Sequence, residues 1–562
     1  MKKVIALALA LCMVLALCAC GSSSASTAST DTASTAASSD AAAANQPDIA
    51  VSYGNTDVAE SEVIDSITYI QDTQVSSLNI WDIRTLTPGI VYEIYEMLYG
   101  VDDSGEFYPI LADANRGSWM PGCDHEEGSG DYTIYIYDYI TDSAGNHITA
   151  NDVKFCFDNY RAAGFESGWN AFLSEEVVDD TTIILHCDGE LNKLGELQNI
   201  LCRAFIVSEA AYNASPSQMA NDACGTGPYV LTEFVPDTKL VVTARDDYWQ
   251  TNEELMNPIQ KANIKEITLS IISEDTQKVI GLETGNIDIA EKVGQTQVDQ
   301  LIADGYGDNY NVYSKAGNMI VYLYCNCHED SICSNEALRK AILTAVDNES
   351  VAMLSNMGQD AVYGLGSSFY PDYNTDWEGS FALYQTPDEA TIKALLDEAG
   401  YNGEPVTVMC ANFTSAYAEP VQALLEQYGI NVDLQILDGG MTTTAQSDPT
   451  EWDVMFGYMA ADDYVVNYWS HLLDVTGGYV EGYNQNFIAD ETFQDMLHEC
   501  MTIDGHTEEN MLAFLNYVDE HAYAKGMCTG ASILVYPTNM TSVVFTDKGY
   551  IVPGACTFAA EG

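Results

Sequence analysis

Positive charge is what this chain has least of: 20 Lys and Arg stand against 84 Asp and Glu, a formal net charge of −64 over 562 residues. Nucleic-acid recognition needs clustered Lys and Arg to displace counterions, so no nucleic-acid partner is expected. Attachment to anionic headgroups through a basic surface is disfavoured for the same reason. Long-range steering favours cationic or zwitterionic ligands, although charge of this kind serves solubility first.

The signatures of covalent catalysis and nucleotide handling are also missing. There is no G-x-S-x-G, H-E-x-x-H or P-loop pattern. Paired carboxylates, as glycosidases use, could be drawn from 84 acids at almost any spacing by chance. A secreted hydrolase is therefore the least favoured reading, and no catalytic residue is assigned. Of 15 cysteines, Cys12, Cys18 and Cys20 lie near the N-terminus, and the other twelve form no C-x-x-C pair. The densest group, Cys325-Asn326-Cys327-His328, lacks the second ligand pair of a zinc site, so neither metal nor cofactor is expected. Export permits disulfides, buried thiols serve equally well as small apolar residues, and the spacing specifies no pairing.

What is present begins at the N-terminus. Met1-Lys2-Lys3, an apolar run and Leu17-Cys18-Ala19-Cys20 make a secretory signal over residues 1–19. The run from Val4 to Ala19 falls short of the roughly 20 residues that span a bilayer. Its end resembles the bacterial lipobox, which implies a diacylglyceryl group on Cys20 and cleavage before it. Two acyl chains anchor a protein stably. Residues 20–48 then form a tether: Gly21 to Ala44 is almost all Ser, Ala and Thr, a composition that buries too little to fold and reaches about 30 Å as a coil. The expected location is the extracytoplasmic face of the cell membrane, held by lipid.

The remainder is too long for one core and has the composition of a packed protein. Tyr132 to Ile140 alternate as a strand, and Thr149 caps a helix carrying Asp152, Val153, Phe155, Phe157 and Tyr160. Ile267, Leu269 and Ile271 alternate, a helix follows to Leu282 and stops near Gly285, and Ile287-Asp288-Ile289 is a short strand. Leu338, Ala341, Ile342 and Ala345 stripe a helix over 335–346. Thr386-Pro387-Asp388-Glu389 reads as a capping box opening a helix that buries Ile392, Leu395, Leu396 and Ala399 and ends at Gly400. Strand 406–410, a helix striped by Val421, Leu424, Leu425 and Tyr428, and a strand alternating from Ile430 to Ile436 make a βαβ unit with parallel pairing. The fold class is α/β.

Several segments, in order, resemble the family 5 solute-binding proteins of ABC importers, the oligopeptide- and dipeptide-binding group. They are Tyr92-Glu-Ile-Tyr-Glu-Met-Leu-Tyr99 with Gly105 to Ala112, Asp142 to Val153, Gly225-Thr-Gly-Pro-Tyr229 with Arg245-Asp-Asp-Tyr-Trp249, Gly281 to Ile289, Leu338 to Asp347, Leu395 to Tyr401, and Tyr428 to Val432. The likeness runs over roughly residues 65 to 550. It implies a three-lobed periplasmic-binding-protein-like fold (type II) with mixed sheets. Lobe I would comprise 49–91, 218–315 and 531–562; lobe II the insertion 92–217; lobe III 316–530. Crossings near 316 and 531 would form a hinge between lobes I and III, closing on the solute.

The resemblance also implies a solute-binding segment. In the oligopeptide binders a lobe III Asp receives the peptide's ammonium, and Gly457-Tyr458-Met459-Ala460-Ala461-Asp462-Asp463-Tyr464 stands at the corresponding place. Either Asp462 or Asp463 fits, with Tyr458, Tyr464 and Trp469 as candidate walls. After Asp463, Tyr464-Val465-Val466-Asn467 replaces the usual Pro-containing turn, which leaves sugars and other solutes open. Nickel is less favoured, since His471 and His498 are weak candidates. Expected partners are a short peptide or other small solute and an ABC importer permease, with the protein a monomer.

Overall fold

Ten strands share one mixed sheet, and side-chain alternation along them accounts for both of its faces. In the computed structural model the described residues are 50–559, excepting 54–60, 72–73, 82–88, 103–105, 164–171, 188–195, 356–359, 368–369, 371, 438, 461–463, 467–486 and 547–549. At 50–53, 314–319, 458–460 and 530–532 the strand backbone alone is described. Cys20, Asp462, Asp463, Trp469 and His471 lie outside the described residues.

The strands are β1 (Ile64–Gln71), β2 (Tyr229–Val235), β3 (Lys239–Ala244), β4 (Ile264–Ile271), β5 (Ile289–Ala290), β6 (Tyr310–Cys325), β7 (Val406–Ala411), β8 (Val432–Leu437), β9 (Val454–Ala460) and β10 (Ala524–Pro537). Their spatial order is β2-β3-β4-β1-β5-β10-β6-β9-β7-β8. The pairs β4/β1, β1/β5, β9/β7 and β7/β8 are parallel, as the βαβ pattern requires, and the others are antiparallel.

Each half of the sheet is covered on both faces. On β6, Ile320, Tyr322 and Tyr324 enter one core with Met409 and Met455. Val321, Leu323 and Cys325 enter another with Val408, Cys410 and Phe456. In the other half Tyr69, Leu269 and Leu534 share one core, while Ile70, Ala290 and Val535 share a second. Doubly covered strands are apolar in nearly every position, which is why several of them alternate so poorly in sequence.

β6 and β10 run through both halves. Their register slips between Lys315, opposite Ser532, and Met319, opposite Gly530, so β6 carries the surplus residues of a bulge. On β6 the first pair of cores reaches Tyr313, and the second pair begins at Ile320.

A separate antiparallel sheet lies within the stretch 92–217: Cys123–His125, Asp131–Tyr135, Thr182–Cys187 and Phe172–Asp179 in that spatial order. It shares its core with residues of β1, β3 and β4.

Most expected elements appear, with three corrections. The helix Ala150–Ala162 has the Thr149/Asp152 capping box, Thr149 N–H donating to Asp152 Oδ2 at 2.8 Å. The strand from Tyr132 stops at Tyr135, because the chain then turns so that Ile136 and Tyr137 are both buried and Tyr137 Oη accepts from Ala114 N–H. The cap of helix Glu389–Ala399 is Asp388, not Thr386: its carboxylate takes the Thr391 N–H at 2.9 Å, leaving Pro387 before the helix. That helix fully buries Ile392 alone, with Leu395, Leu396 and Ala399 half-buried in an outer layer. Gly400 and Gly429 do take the left-handed conformation expected where their helices end.

Candidate functional site

The strand that carries the candidate segment is fixed by packing on both faces. β9 pairs antiparallel with β6, Tyr458 opposite Val321 and Ala460 opposite Met319. Its C-terminal end therefore lies beside the β6–β10 register break. Tyr458 is thus placed on this strand by its backbone, and Tyr464, half-buried, stands just past the strand's end.

The residues after Tyr464 are held from another part of the chain. Asp372 Oδ1 accepts the Val465 N–H at 2.9 Å, while Val465 and Val466 are fully buried in the same core as Tyr370 and Tyr373. The Asp372 side chain is 1 % exposed, and its Oδ2 has no hydrogen-bond partner. Burial raises its carboxyl above the usual range, the Val465 N–H and the nearby His506 ring opposing. His506 Nε2 stands 3.8 Å from Oδ2, and its ring meets the Tyr464 ring edge to face with centroids 5.1 Å apart. His506 Nδ1 lies 3.0 Å from the Cys500 carbonyl. Sequence reasoning passes over Asp372 and His506, because nothing in their neighbourhoods marks them; the signal is their meeting across 134 residues.

The motif residues that carry the family likeness sit elsewhere, in a buried polar junction. Glu96 accepts from Trp249 Nε1 at 2.8 Å, Tyr248 Oη at 2.6 Å and Gln260 Nε2 at 2.8 Å. Burial raises its pKa, and these hydrogen bonds oppose the rise. Glu93 is wholly buried, takes the Gly554 N–H at 2.6 Å and is pushed up to about 8 by desolvation. The Arg245 guanidinium donates to the carbonyls of Asp142, Thr226 and Gly227. A Cβ at Gly225 would stand 2.0 Å from the Ile94 carbonyl oxygen, and at Gly227 2.4 Å from that of Glu93, so the G-T-G-P-Y glycines permit close packing.

In the other half, Lys525 is buried and donates to the carbonyls of Leu343 at 3.0 Å and Val346 at 2.6 Å. It caps the end of helix Glu336–Ala345, and burial lowers its pKa to about 7 against the pull of Asp347 and Asp519. Beside it opens a hollow of about 380 Å³ lined by Asp347, Glu349, Tyr363, Gln385 and Tyr428. All twelve cysteines beyond Cys20 are free thiols, and among the described residues no three His, Cys, Asp or Glu converge as metal ligands. His498 lies on helix Glu491–Met501. No helix among the described residues is long and apolar enough to cross a membrane.

Residues 106–478 match the model of the bacterial extracellular solute-binding proteins, family 5. The chain is 24% identical over 400 residues to a probable D,D-dipeptide-binding periplasmic protein of Escherichia coli, covering 68% of this chain and 72% of that one. It is 25% identical over 380 residues to the nickel-binding periplasmic protein of the same organism, covering 61% and 65%. Among solved structures, the Bacillus subtilis oligopeptide-binding protein AppA in complex with a nonapeptide superposes with a TM-score of 0.72 at 16% identity, over 89% of this chain and 100% of that one.

Proposed function

The chain belongs to the family 5 bacterial extracellular solute-binding proteins of ABC importers, and from that membership we propose that it captures short peptides outside the cell membrane and delivers them to an importer by hinge closure. The observation that supports closure is the slip in β6–β10 pairing between Lys315 and Met319, at the place where one pair of apolar cores gives way to the next. Two strands bending at a bulge let packed halves swing without repacking either core. In this reading lobe I comprises 49–91, 218–315 and 531–562, lobe II 92–217, and lobe III 316–530.

Peptide as cargo is supported by the dipeptide-binding relative and by the acidic pair Asp462-Asp463 next to the end of β9. A carboxylate there would meet the peptide ammonium, whose charge must be paired once the cleft closes over it. Tyr458, Tyr464 and Trp469 would wall the rest. Cys20 would carry the lipid, and residues 20–48 the tether that keeps the trap near its permease.

The test is thermal. Protein stripped of cargo and mixed with di-, tri- and tetrapeptide pools should rise in Tm, since a ligand bound only to the folded state stabilises it. No rise with any peptide, together with a rise on adding oligosaccharide or a nickel chelate, would hand the site to the second reading. That reading, the same fold for a non-peptide solute, is favoured by Tyr464-Val465-Val466-Asn467 in place of a Pro-containing turn and by the nickel-binding relative. For the anchor, Cys20→Ser should release the protein from cells into the medium.

A further inference from the structure

The contacts around Tyr464 contain a proton that the chain must place somewhere. The Cys500 carbonyl can only accept, so His506 Nδ1, 3.0 Å away, carries a hydrogen. A neutral His506 then has a bare lone pair on Nε2, and that atom faces Asp372 Oδ2 at 3.8 Å. Asp372 Oδ2 is itself buried and accepts no hydrogen bond. With Asp372 ionised and His506 neutral, two electron-rich atoms oppose each other, the carboxylate buried and the imidazole 15 % exposed. One proton, on either Nε2 or Oδ2, turns that opposition into attraction. The same two side chains grip the chain on either side of one peptide bond: Asp372 through the Val465 N–H, His506 through the ring of Tyr464.

We propose that Asp372 and His506 are positioning residues for Tyr464, and that the proton they share makes solute capture depend on pH, tighter when the proton is held and weaker when it is lost. The proposal rests on the reading above that Tyr464 walls the solute. Among the described residues, the Glu499 carboxylate lies near the pair, its Oε1 2.7 Å from where a Cβ at Gly505 would stand, beside His506. The Cys500 thiol on helix Glu491–Met501 is pushed up to about 12 by burial, beyond the range at issue. Tyr464 presents its ring, and Tyr373, next to Asp372 in the chain, is held well above its ordinary value by burial. Tyr373 therefore does not compete for the proton near neutral pH. No Lys or Arg pairs with Asp372 among the described residues, so His506 is the basic side chain that faces it.

The experiment uses the full chain with Asp372→Asn, which keeps an acceptor for the Val465 N–H but removes the charge, and His506→Gln, on a partly exposed turn, as a second variant. Three quantities are followed from pH 5 to 9: the ¹³C-labelled His506 resonance, hydrogen exchange across residues 464–466, and the Kd for trialanine. The pH response of the His506 resonance should differ between wild type and Asp372→Asn, because the carboxylate faces Nε2 at 3.8 Å. Exchange at 464–466 should speed up roughly tenfold as pH rises in the wild type, beyond the intrinsic pH effect, and the trialanine Kd should weaken about fivefold or more over the same interval. Both variants should flatten these two profiles. Identical His506 titration in wild type and Asp372→Asn, or pH profiles of exchange that neither variant alters, would overturn the proposal. If trialanine fails to bind wild type at every pH, the peptide reading falls, while the histidine titration and the exchange profile still decide the clamp.

Discussion

Two buried polar regions of this protein can be set side by side: the junction around Glu93, Glu96 and Arg245, and the cluster of Asp372, Tyr464 and His506. The first holds the residues by which the sequence is recognised, and every strong partner there is within the protein. The second holds residues that no motif marks, and each region leaves one buried carboxylate oxygen unmatched, Glu93 Oε2 in the first and Asp372 Oδ2 in the second. A network whose hydrogen bonds tie motif residues to one another favours one structure and makes no demand on solute, so it can recur across binders of different cargo. Recognition residues must change with cargo. The likeness to known proteins therefore reports how the protein is built far better than what it carries.

That contrast can be broken in four ways, from the largest expected effect on stability to the smallest. Glu96→Ala leaves Trp249 Nε1, Tyr248 Oη and Gln260 Nε2 facing an apolar gap, and should cost at least ~3 kcal/mol in denaturant unfolding, since each unpaired buried donor costs about 1–3. A loss below 1 kcal/mol would mean that the junction is not the closed network described.

Glu93→Gln should stabilise, and only in a defined pH window. The folded pKa near 8 lies above the unfolded value of 4.5, so the folded state holds a proton that the unfolded state releases. Stability from this group is complete below 4.5 and declines as pH rises to about 8. An amide at this position cannot ionise, so the variant should gain on the order of 2–3 kcal/mol over wild type at pH 8 and nothing at pH 4. Thermal melts across that range check it.

Lys525 pulls the other half of the sheet the opposite way. Its folded pKa of about 7 lies below the reference 10.5, so the unfolded state binds the extra proton between those values. Stability should therefore climb as pH rises from 7 towards 10, and the climb, about 1–2 kcal/mol, should vanish in Lys525→Met. Equal pH slopes in wild type and variant would refute the assignment. Finally, if Asp462 and Asp463 serve the solute rather than the fold, Asp462→Asn and Asp463→Asn should shift stability by no more than about 0.5 kcal/mol, while one of them lowers peptide affinity at least tenfold. Loss of folding with either would place these acids with the scaffold rather than the solute.

Legibility follows the range of the forces involved. The Thr149/Asp152 box and the glycine stops at 400 and 429 depend on three or four neighbouring residues, and the sequence displays them whole. The cap at Asp388 reads as Thr386 in sequence because two cap residues stand within three positions, and the backbone conformation at 388 decides between them. The strand end at Tyr135 escapes a sequence reading since Tyr137 has a long-range use, its hydroxyl meeting Ala114 N–H. Lys525 gives no sequence sign of burial; only the open end of helix Glu336–Ala345, brought against β10, explains it.

By itself the sequence determined the acidic surface, the α/β class, the helices with their stops, and the family. Each follows from composition, short-range periodicity or an ordered set of motifs, none of which requires knowing what lies across the fold. Only the tertiary structure decided that the recognisable glycines and acids serve packing, that β6 and β10 slip between two sets of cores, and that Asp372 meets His506 beside Tyr464. The physical reason is distance along the chain: burial and pairing between residues far apart in sequence exist only once the sheet has brought them together.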